Sequence, residues 1–133
     1  MEKINIRLNQ YSSTSMQLEN ENFNIIVDRP IQNGGSGKGL MGGQHLLLGV
    51  GGCFCSTLFA TAISRDINIS GLKVNVIATI SNVPKRFNNI DLEVSYNHCS
   101  HPEEFNKLLI ISEKGCISIN TLKKNTTFNI TEK

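Results

Sequence analysis

Two of the four cysteines stand in the most apolar part of the chain. Cys53 and Cys55 occur in GGCFCS, within a run from Leu40 to Ser64 that contains no Asp, Glu, Lys or Arg. In a loop, a C-x-C pair can hold a metal or form a redox couple. On a helix, two residues turn by about 200°, so the two sulfurs point to opposite sides and cannot share an ion or a disulfide. We therefore predict that these two cysteines act separately.

The other two cysteines have different surroundings. Cys99 lies in NHCSHPEE, where it forms a possible set of metal ligands with His98 and His101. Such a set needs a further ligand from elsewhere, so solvated turn residues are the preferred interpretation and a metal-binding protein is a weaker alternative. Cys116 begins a predicted short helix, where backbone N–H groups and the helix dipole favour a thiolate. We predict that Cys116 is a reactive or resolving thiol.

Length and charge restrict the class of protein. The 133 residues predict one domain, 1–133, with a single hydrophobic core. The 13 basic and 11 acidic residues are dispersed and there is no Trp, which argues against a nucleic-acid partner. The N-terminus, MEKINIRLNQY, lacks the order of a signal peptide, so we expect a cytoplasmic protein. In that reducing compartment the cysteines are expected to be catalytic, redox-active or metal-binding rather than a disulfide framework.

The pattern of apolar residues predicts an α+β domain in which helices pack against an antiparallel sheet. Six glycines between positions 34 and 43 predict a loop whose backbone is mobile or closely approached. In chain order we predict strands at 2–8 and 15–28, a helix at 44–64, a hairpin from 72–81 and 89–97, helices at 102–114 and 116–124, and a last strand, FNITE.

The predicted helix 44–64 is apolar on every side, so we expect it to be buried at the centre of the domain. About 20 apolar residues are enough to span a bilayer. Gln44, His45, three glycines and several hydroxyl groups make this segment only moderately hydrophobic, so no membrane association is predicted. A stripe of small residues would let another helix or a second subunit approach closely. The stripe consists of Gly49, Gly52, Ser56 and Ala60.

Several segments of the chain form a pattern that is specific when they are taken together. The first is GGSGKGLMGGQHLLLGVGGCFCS, preceded by IIVDRP, and the second is EKGCISINTL about 60 residues later. Between them, the predicted hairpin contains the F-x-x-I-x-L pattern of Phe87, Ile90 and Leu92. Together these segments resemble the OsmC/Ohr family of osmotically induced and organic hydroperoxide resistance proteins, and the resemblance covers nearly the whole chain.

This resemblance implies an intertwined homodimer with a long central helix and a reactive site at the subunit interface. It implies a thiol peroxidase without haem, metal, flavin or other cofactor, which acts on organic hydroperoxides in oxidative-stress defence. Carried over, Cys53 matches the peroxidatic cysteine and Cys116 the resolving cysteine. An external dithiol, in the family often a lipoylated protein, would reduce the resulting disulfide.

The chain departs from the family pattern around the reactive thiol. Family members place a Glu ahead of the leucine run and an Arg nearby, whereas this chain has Gln44 and no carboxylate at that point. An amide can bind a guanidinium or a peroxide but cannot anchor an Arg by charge. The candidate cations are Arg29, Lys38 and Arg7, from either subunit. His45 is a possible base, although an ordinary histidine at a helix start is the simpler interpretation.

Two functions therefore stay open. One is a hydroperoxide reductase, with weak or altered activity because the family Glu is absent. The other is a catalytically silent relative that binds a small hydrophobic or sulfur-containing ligand at the dimer interface. The roles of Cys55 and Cys99 are not assigned by the sequence.

Overall fold

The structure, a computed structural model, describes residues 1–133. Contacts divide the chain into two units, Met1–Leu46 and Leu47–Lys133, and the boundary falls inside the long helix. The single domain predicted from chain length remains a prediction.

A three-stranded antiparallel sheet forms the first unit. β1 (Leu8–Gln10) pairs with β2 (Met16–Leu18), and β2 pairs with β3 (Ile26–Val27). An antiparallel meander was predicted, but the predicted strand 2–8 shares only Leu8 with β1, and the predicted strand 15–28 is two short strands, β2 and β3. Residues 2–7 belong to no strand and are exposed, because nothing within the chain covers Ile4 and Ile6.

The glycine-rich loop after β3 runs against backbone carbonyl groups. A Cβ at Gly35 would lie 2.0 Å from the carbonyl oxygen of Arg29, and a Cβ at Gly39 would lie 2.0 Å from that of Ile26. No side chain fits at such distances, so both positions require glycine. The prediction of a closely approached loop backbone is confirmed.

A buried carboxylate, Asp28, organises this loop. It is 3% exposed and accepts hydrogen bonds of 2.7–3.4 Å from four neighbouring residues. Burial opposes ionisation of the carboxyl group, but these donors outweigh it, so the pKa of Asp28 lies below its ordinary value. The donors are the N–H groups of Lys38, Arg29 and Ser36 and the hydroxyl of Thr14.

Acid should weaken the first unit through Asp28. A carboxyl group with a lowered folded-state pKa stabilises the fold above its unfolded-state pKa, and this stabilisation is lost as pH falls through the folded-state pKa. We expect the Tm of the wild type to fall steeply below about pH 4. Asp28→Asn should have a lower Tm at pH 7, and its Tm should fall less than that of the wild type between pH 7 and pH 3. Circular dichroism measures both. Glu93→Gln, at an exposed position, is the control. An equal fall in Tm with acid in the wild type and in Asp28→Asn would contradict this role of Asp28.

The predicted long apolar helix is confirmed as α1, Gly42–Ser64. Within one chain only one face is buried. On the other side Leu48 and Ile63 are 62% and 74% exposed, and the four small residues of the predicted stripe are also exposed. The buried residues are Val50, Gly51, Phe54, Leu58 and Ala62.

By length and composition alone, α1 is able to cross a membrane, with a mean hydropathy of 1.9 over its most apolar window. A core helix of a soluble protein meets the same criterion. This property therefore does not distinguish the two kinds of helix.

The second unit combines two small antiparallel sheets with two helices. The predicted hairpin is β5 (Lys73–Ser81) and β6 (Arg86–Ser95). A short antiparallel pair flanks it in the sequence, with β4 (Ile69–Ser70) before β5 and β7 (His98–Cys99) after β6. The helices are α2 (Phe105–Gly115), preceded by a 3-10 turn at Pro102–Glu104, and α3 (Ile117–Lys123).

Packing between α1 and the hairpin depends on a glycine. A Cβ at Gly51 would lie 2.8 Å from Cγ2 of Val76, so the absence of a side chain lets the helix approach β5. Leu58 of α1 and Leu108 of α2 are fully buried in the core, and the rings of Tyr96 and Phe105 are in contact at a tilt of 51°, with centroids 4.5 Å apart. The core of the second unit therefore lies between α1, α2 and the inner face of the hairpin.

Two details of the predicted architecture are corrected. The strands form three separate sheets within the chain rather than one. FNITE forms no strand, because this exposed segment pairs with no strand of the same chain, and α3 is the last regular element. The α+β class itself is confirmed.

Candidate active site

Two thiols far apart in the sequence meet in the second unit. Cys53 lies in the middle of α1, and Cys116 is the residue between α2 and α3. Both are free, and the Cys116 Sγ donates a hydrogen bond to the Cys53 Sγ at 3.5 Å. Cys116 is 0% exposed, whereas Cys53 is only partly buried. A small molecule can therefore reach Cys53 more readily than Cys116.

The junction between α2 and α3 fits closely against α1. A Cβ at Gly115 would lie 3.5 Å from Cγ2 of Thr57, which is one helical turn beyond Cys53. The Thr57 hydroxyl donates to the carbonyl oxygen of Cys53 at 2.9 Å and so does not compete for its sulfur. Gly115, the residue before Cys116, therefore lies beside Thr57 of α1.

The surroundings of the two thiols shift their pKa values in opposite directions. The Ser118 hydroxyl is the main group that lowers the pKa of Cys53, and the Ser118 N–H, the Cys116 thiol and the Ile117 N–H add to it against the effect of burial. Burial raises the pKa of Cys116, and its neighbour Cys53 raises it further, although the N–H groups of Ile119 and Ser118 oppose this. Cys53 is therefore the thiol of the pair that ionises first.

The expectation that its position before a helix lowers the pKa of Cys116 is wrong. Cys116 does precede α3, but its sulfur is enclosed in the core, where burial outweighs the N–H groups of the first turn. Those N–H groups also act on the sulfur of Cys53 across the contact. The N–H groups at the start of α3 thus favour a thiolate on Cys53 of α1.

Ser118 was not singled out by the sequence. The signal was a hydroxyl two residues after Cys116, in the first turn of the next helix. Its significance depends on Cys53, which lies 63 residues before Cys116 and comes close only in the folded chain. Spacing alone could not connect Ser118 with Cys53.

Ser118→Ala should raise the pKa of Cys53, because it removes the largest stabilising contribution to the thiolate. The measurement is the rate of Cys53 alkylation by iodoacetamide as a function of pH, with the modified residue identified by mass spectrometry. The midpoint should move to higher pH. Ser118→Thr, which keeps a hydroxyl, should retain the wild-type midpoint, as should Ser56→Ala on the exposed face of α1. An unchanged midpoint in Ser118→Ala would contradict the role of this hydroxyl.

Gln44, Arg29 and Lys38 lie in the first unit, whereas the two thiols lie in the second. The Gln44 Oε1 accepts the N–H of Met41 at 2.9 Å, which caps the start of α1. Arg29 and Lys38 hold Asp28 through their backbone N–H groups and leave their side chains exposed. The structure therefore brings together Cys53 and Cys116 and gives Gln44 a local role in helix capping.

Two other candidate residues of the first unit have partners there. Arg7 forms a salt bridge with Glu19 at 3.3 Å. The His45 Nε2 lies 3.1 Å from the carbonyl oxygen of Ile26, so this nitrogen carries a hydrogen and donates it. The contact gives His45 the ordinary structural role expected of a histidine at a helix start.

The remaining cysteines are core residues in this chain. Cys55 packs against the core, and burial raises its pKa. Cys99 is 5% exposed and pairs with Ile69 in the sheet of β4 and β7, so the expectation of a solvated turn is wrong at this position. Its side chain fills the core, while His98 and His101 are exposed. No group of three or more His, Cys, Asp or Glu side chains is placed to hold a metal ion.

An apolar groove of about 560 Å³ lies within the second unit, beside the helix that carries Cys53. Val50 and Phe54 of α1 line it, together with β6, α2 and α3. A groove of this volume lies in the range that binds small molecules. Among its other apolar lining residues are Leu92, Leu109, Ile119 and Leu122.

Together the fold and site define a small α+β protein with a dithiol centre, in which a long helix carries the more acidic thiol. The family model for OsmC-like proteins matches residues 35–131, which is well over half of the chain. The chain therefore belongs to the OsmC-like protein family, as the sequence predicted.

Solved structures agree with this assignment. An OsmC-like protein from Mycoplasma pneumoniae is 25% identical, with a TM-score of 0.78 over 92% of this chain and 88% of that chain. An organic hydroperoxide resistance protein OsmC from Legionella pneumophila is 15% identical, with a TM-score of 0.64 over 94% and 93% of the two chains. One from Elizabethkingia anophelis, an organic hydroperoxide resistance protein with thiocyanate bound, is 19% identical, with a TM-score of 0.60 over 93% and 91%. No curated protein matches the chain.

Proposed function

We propose that this protein is a thiol-dependent peroxidase that reduces organic hydroperoxides, with Cys53 as the peroxidatic and Cys116 as the resolving cysteine. The observation that carries the proposal is the 3.5 Å approach of two thiols whose pKa values are shifted in opposite directions. The accessible, more acidic thiol suits attack on a peroxide, and the buried, less acidic thiol suits the later step. Family membership supports a redox role in the stress response.

The proposed reaction uses both sulfurs in turn. The Cys53 thiolate attacks the distal oxygen of the hydroperoxide, the O–O bond breaks, and the alkoxide takes a proton and leaves as an alcohol. Two electrons pass from sulfur to peroxide, so Cys53 becomes a sulfenic acid. Cys116 then attacks this sulfur, an S–S bond forms and water leaves. For this step the sulfurs must close from 3.5 Å to about 2.05 Å.

The recycling step and the cellular setting are also part of the proposal. An external dithiol, such as the lipoyl group of a lipoylated protein, exchanges with the Cys53–Cys116 disulfide and restores both thiols. No cofactor enters this cycle. We place the cycle in the cytoplasm, without nucleic acid or membrane as a partner.

The apolar groove favours an organic over an inorganic peroxide. Phe54, the residue next to Cys53, lines the groove, whereas neither Cys53 nor Cys116 does, so we propose that the groove holds an alkyl or aryl tail and not the peroxide group itself. Burial of apolar tail surface contributes about 25 cal/mol per Å². We therefore expect faster reaction with cumene hydroperoxide than with hydrogen peroxide.

We further propose that the working form is an intertwined homodimer. In the first unit only Ser15 and Asp28 are buried, so its 46 residues, Met1–Leu46, have no apolar core of their own. The hairpin of β5 and β6 is a sheet of only two strands, and such a sheet is marginal without neighbours on its free edges. The exposed apolar face of α1 is a further surface that a second copy would cover.

One observation favours the alternative, a catalytically silent protein that binds a small hydrophobic or sulfur-containing ligand. The groups that lower the pKa of Cys53 are neutral hydroxyl, thiol and N–H donors, and Gln44 is engaged at the start of α1. Neutral donors favour a thiolate less than an adjacent cation does. A cation such as Arg29 or Lys38 of a second copy would complete the active form under the peroxidase proposal.

A peroxide consumption assay separates these two functions. Reduced protein is mixed with cumene hydroperoxide or hydrogen peroxide, and mass spectrometry follows the oxidation state of each cysteine. The proposal requires consumption faster than that by a free thiol, with one Cys53–Cys116 disulfide formed for each peroxide reduced. Consumption no faster than that of the free thiol, without this disulfide, would overturn it in favour of ligand binding.

A further inference from the structure

A second cavity has two cationic side chains among its five lining residues and is lined by none of the cysteines. It has a volume of about 230 Å³ and lies where the segment after α1 meets the start of α2. Its walls are formed by Arg65, His101, Glu104 and Lys107, and Ile67, which is 6% exposed, lies beneath them. None of these residues has a part in the proposed peroxidase cycle.

The end of α1 places one wall of this cavity. Asp66 adopts a left-handed conformation with φ 55°, and the N–H groups of Asp66 and Ile67 bond to the carbonyl oxygens of Ile63 and Ala62. This is the Schellman arrangement that ends a helix. It reverses the chain so that Arg65 lies at the mouth and Ile67 in the core.

Hydrogen bonds also connect His101, another lining residue of the cavity, with Ser100 and Asn68. The N–H of Asn68 donates to the Ser100 Oγ at 2.9 Å, and this oxygen lies 3.0 Å from the His101 Nδ1. A hydroxyl oxygen has two lone pairs and one hydrogen, so the Ser100 oxygen can either donate to Nδ1 or accept a second hydrogen from it. With the Ser100 hydroxyl as the donor to Nδ1, the Nε2 of His101 would carry the hydrogen and be available to donate to a ligand.

The charged groups of the cavity have no partners in the chain. The two salt bridges of the structure join Arg7 to Glu19 and Lys123 to Glu113, so Arg65, Lys107 and Glu104 are unpaired. The cavity lining thus contains two permanent positive charges, one carboxylate and the imidazole of His101. The volume is below the range of pockets for drug-sized molecules, which restricts the occupant to a small ion or group.

We propose that this cavity binds a small oxyanion of the phosphate class, either a free phosphate ion or the phosphate group of a monoester. The Arg65 guanidinium supplies paired N–H donors, the Lys107 ammonium supplies a point charge, and the His101 Nε2–H supplies a further donor. Glu104 opposes the ligand, because it places a negative charge at the same site. The inference is independent of the peroxidase proposal.

The test is a titration of the full-length protein with inorganic phosphate at constant ionic strength, followed by ¹H–¹⁵N NMR. Saturable shifts are expected at residues 65–67 and 101–107. Arg65→Gln and Lys107→Gln should each weaken binding about fivefold or more, and Glu104→Gln should tighten it by a similar factor. Lys85→Gln removes one positive charge elsewhere and should leave the affinity unchanged.

Two results would overturn the proposal. One is a titration without saturable shifts at these residues. The other is an equal loss of affinity in Lys85→Gln and Lys107→Gln, which would indicate general attraction to the net charge. A titration with glycerol phosphate distinguishes the two sources of the ligand, since a site for a monoester should bind it more tightly than phosphate. Peroxide consumption should be unchanged in all four variants, so failure of one proposal leaves the other testable.

Discussion

Cys53→Ser should reduce the consumption of cumene hydroperoxide by on the order of 100-fold or more, to the rate of an unrelated thiol, because it removes the nucleophile. A serine hydroxyl is un-ionised at neutral pH, and neither Ser118 nor the N–H groups of α3 can make it an equivalent nucleophile. Cys116 cannot take over the reaction, since it is fully buried and burial raises its pKa. The readout is the initial rate of peroxide loss under reducing turnover with a dithiol.

Cys116→Ser should give a different result and so separate the two roles. Cys53 can still reduce one equivalent of peroxide, but its sulfenic acid has no resolving thiol and should persist or oxidise further. A dimedone adduct on Cys53, detected by mass spectrometry, is the expected signature. Cys55→Ser is the matched control on the same helix and should retain turnover. Equal loss of the first turnover in Cys116→Ser and Cys53→Ser would contradict the assignment.

Gly52→Leu should convert the proposed homodimer into monomers. No atom of the chain lies within 4 Å of a Cβ built at Gly52, so the leucine is accommodated within one chain, whereas it would obstruct a second copy packed on the small-residue stripe. We expect a weakening of dimerisation by on the order of 100-fold, since overpacking of a close interface costs about 1–3 kcal/mol per chain and a twofold interface meets it twice. Sedimentation velocity over a concentration series measures the effect.

Asn106→Leu is the matched control for this substitution, because it adds the same side chain at an exposed position of α2. This variant should sediment as the wild type does, and circular dichroism should show that both variants keep the overall helix content of the wild type. A wild-type protein that sediments as a monomer at all concentrations would refute the dimer proposal directly. A Gly52→Leu protein that remains dimeric would place the interface away from the stripe.

Local sequence patterns were sufficient for the elements that surround the site. The uncharged run from Leu40 to Ser64 predicted α1, since its length exceeds that of a strand, and alternation predicted β5 and β6. The close approach in the glycine-rich loop was also predicted from its glycines, although two of the six, Gly42 and Gly43, lie in the first turn of α1. These features depend on the identity of neighbouring residues, which the sequence states directly.

The sequence was less informative about exposure. Cys99 stands among polar residues, and only the pairing of β7 with β4 turns its side chain into the core. FNITE has the composition of a strand but finds no partner strand in the chain. In both cases the outcome depends on which distant segment supplies the hydrogen bonds of the backbone.

The sequence by itself determined the class of fold, the family, and the two cysteines that could form a redox pair. The two cysteines were identified because two segments resemble a known family. No property of the sequence itself linked Cys53 to Cys116. The tertiary structure decided that their sulfurs lie 3.5 Å apart, that Ser118 favours the thiolate on Cys53, and that burial raises the pKa of Cys116. The physical reason is that distance, burial and hydrogen bonding between residues far apart in the chain arise only when α1 packs against the junction of α2 and α3.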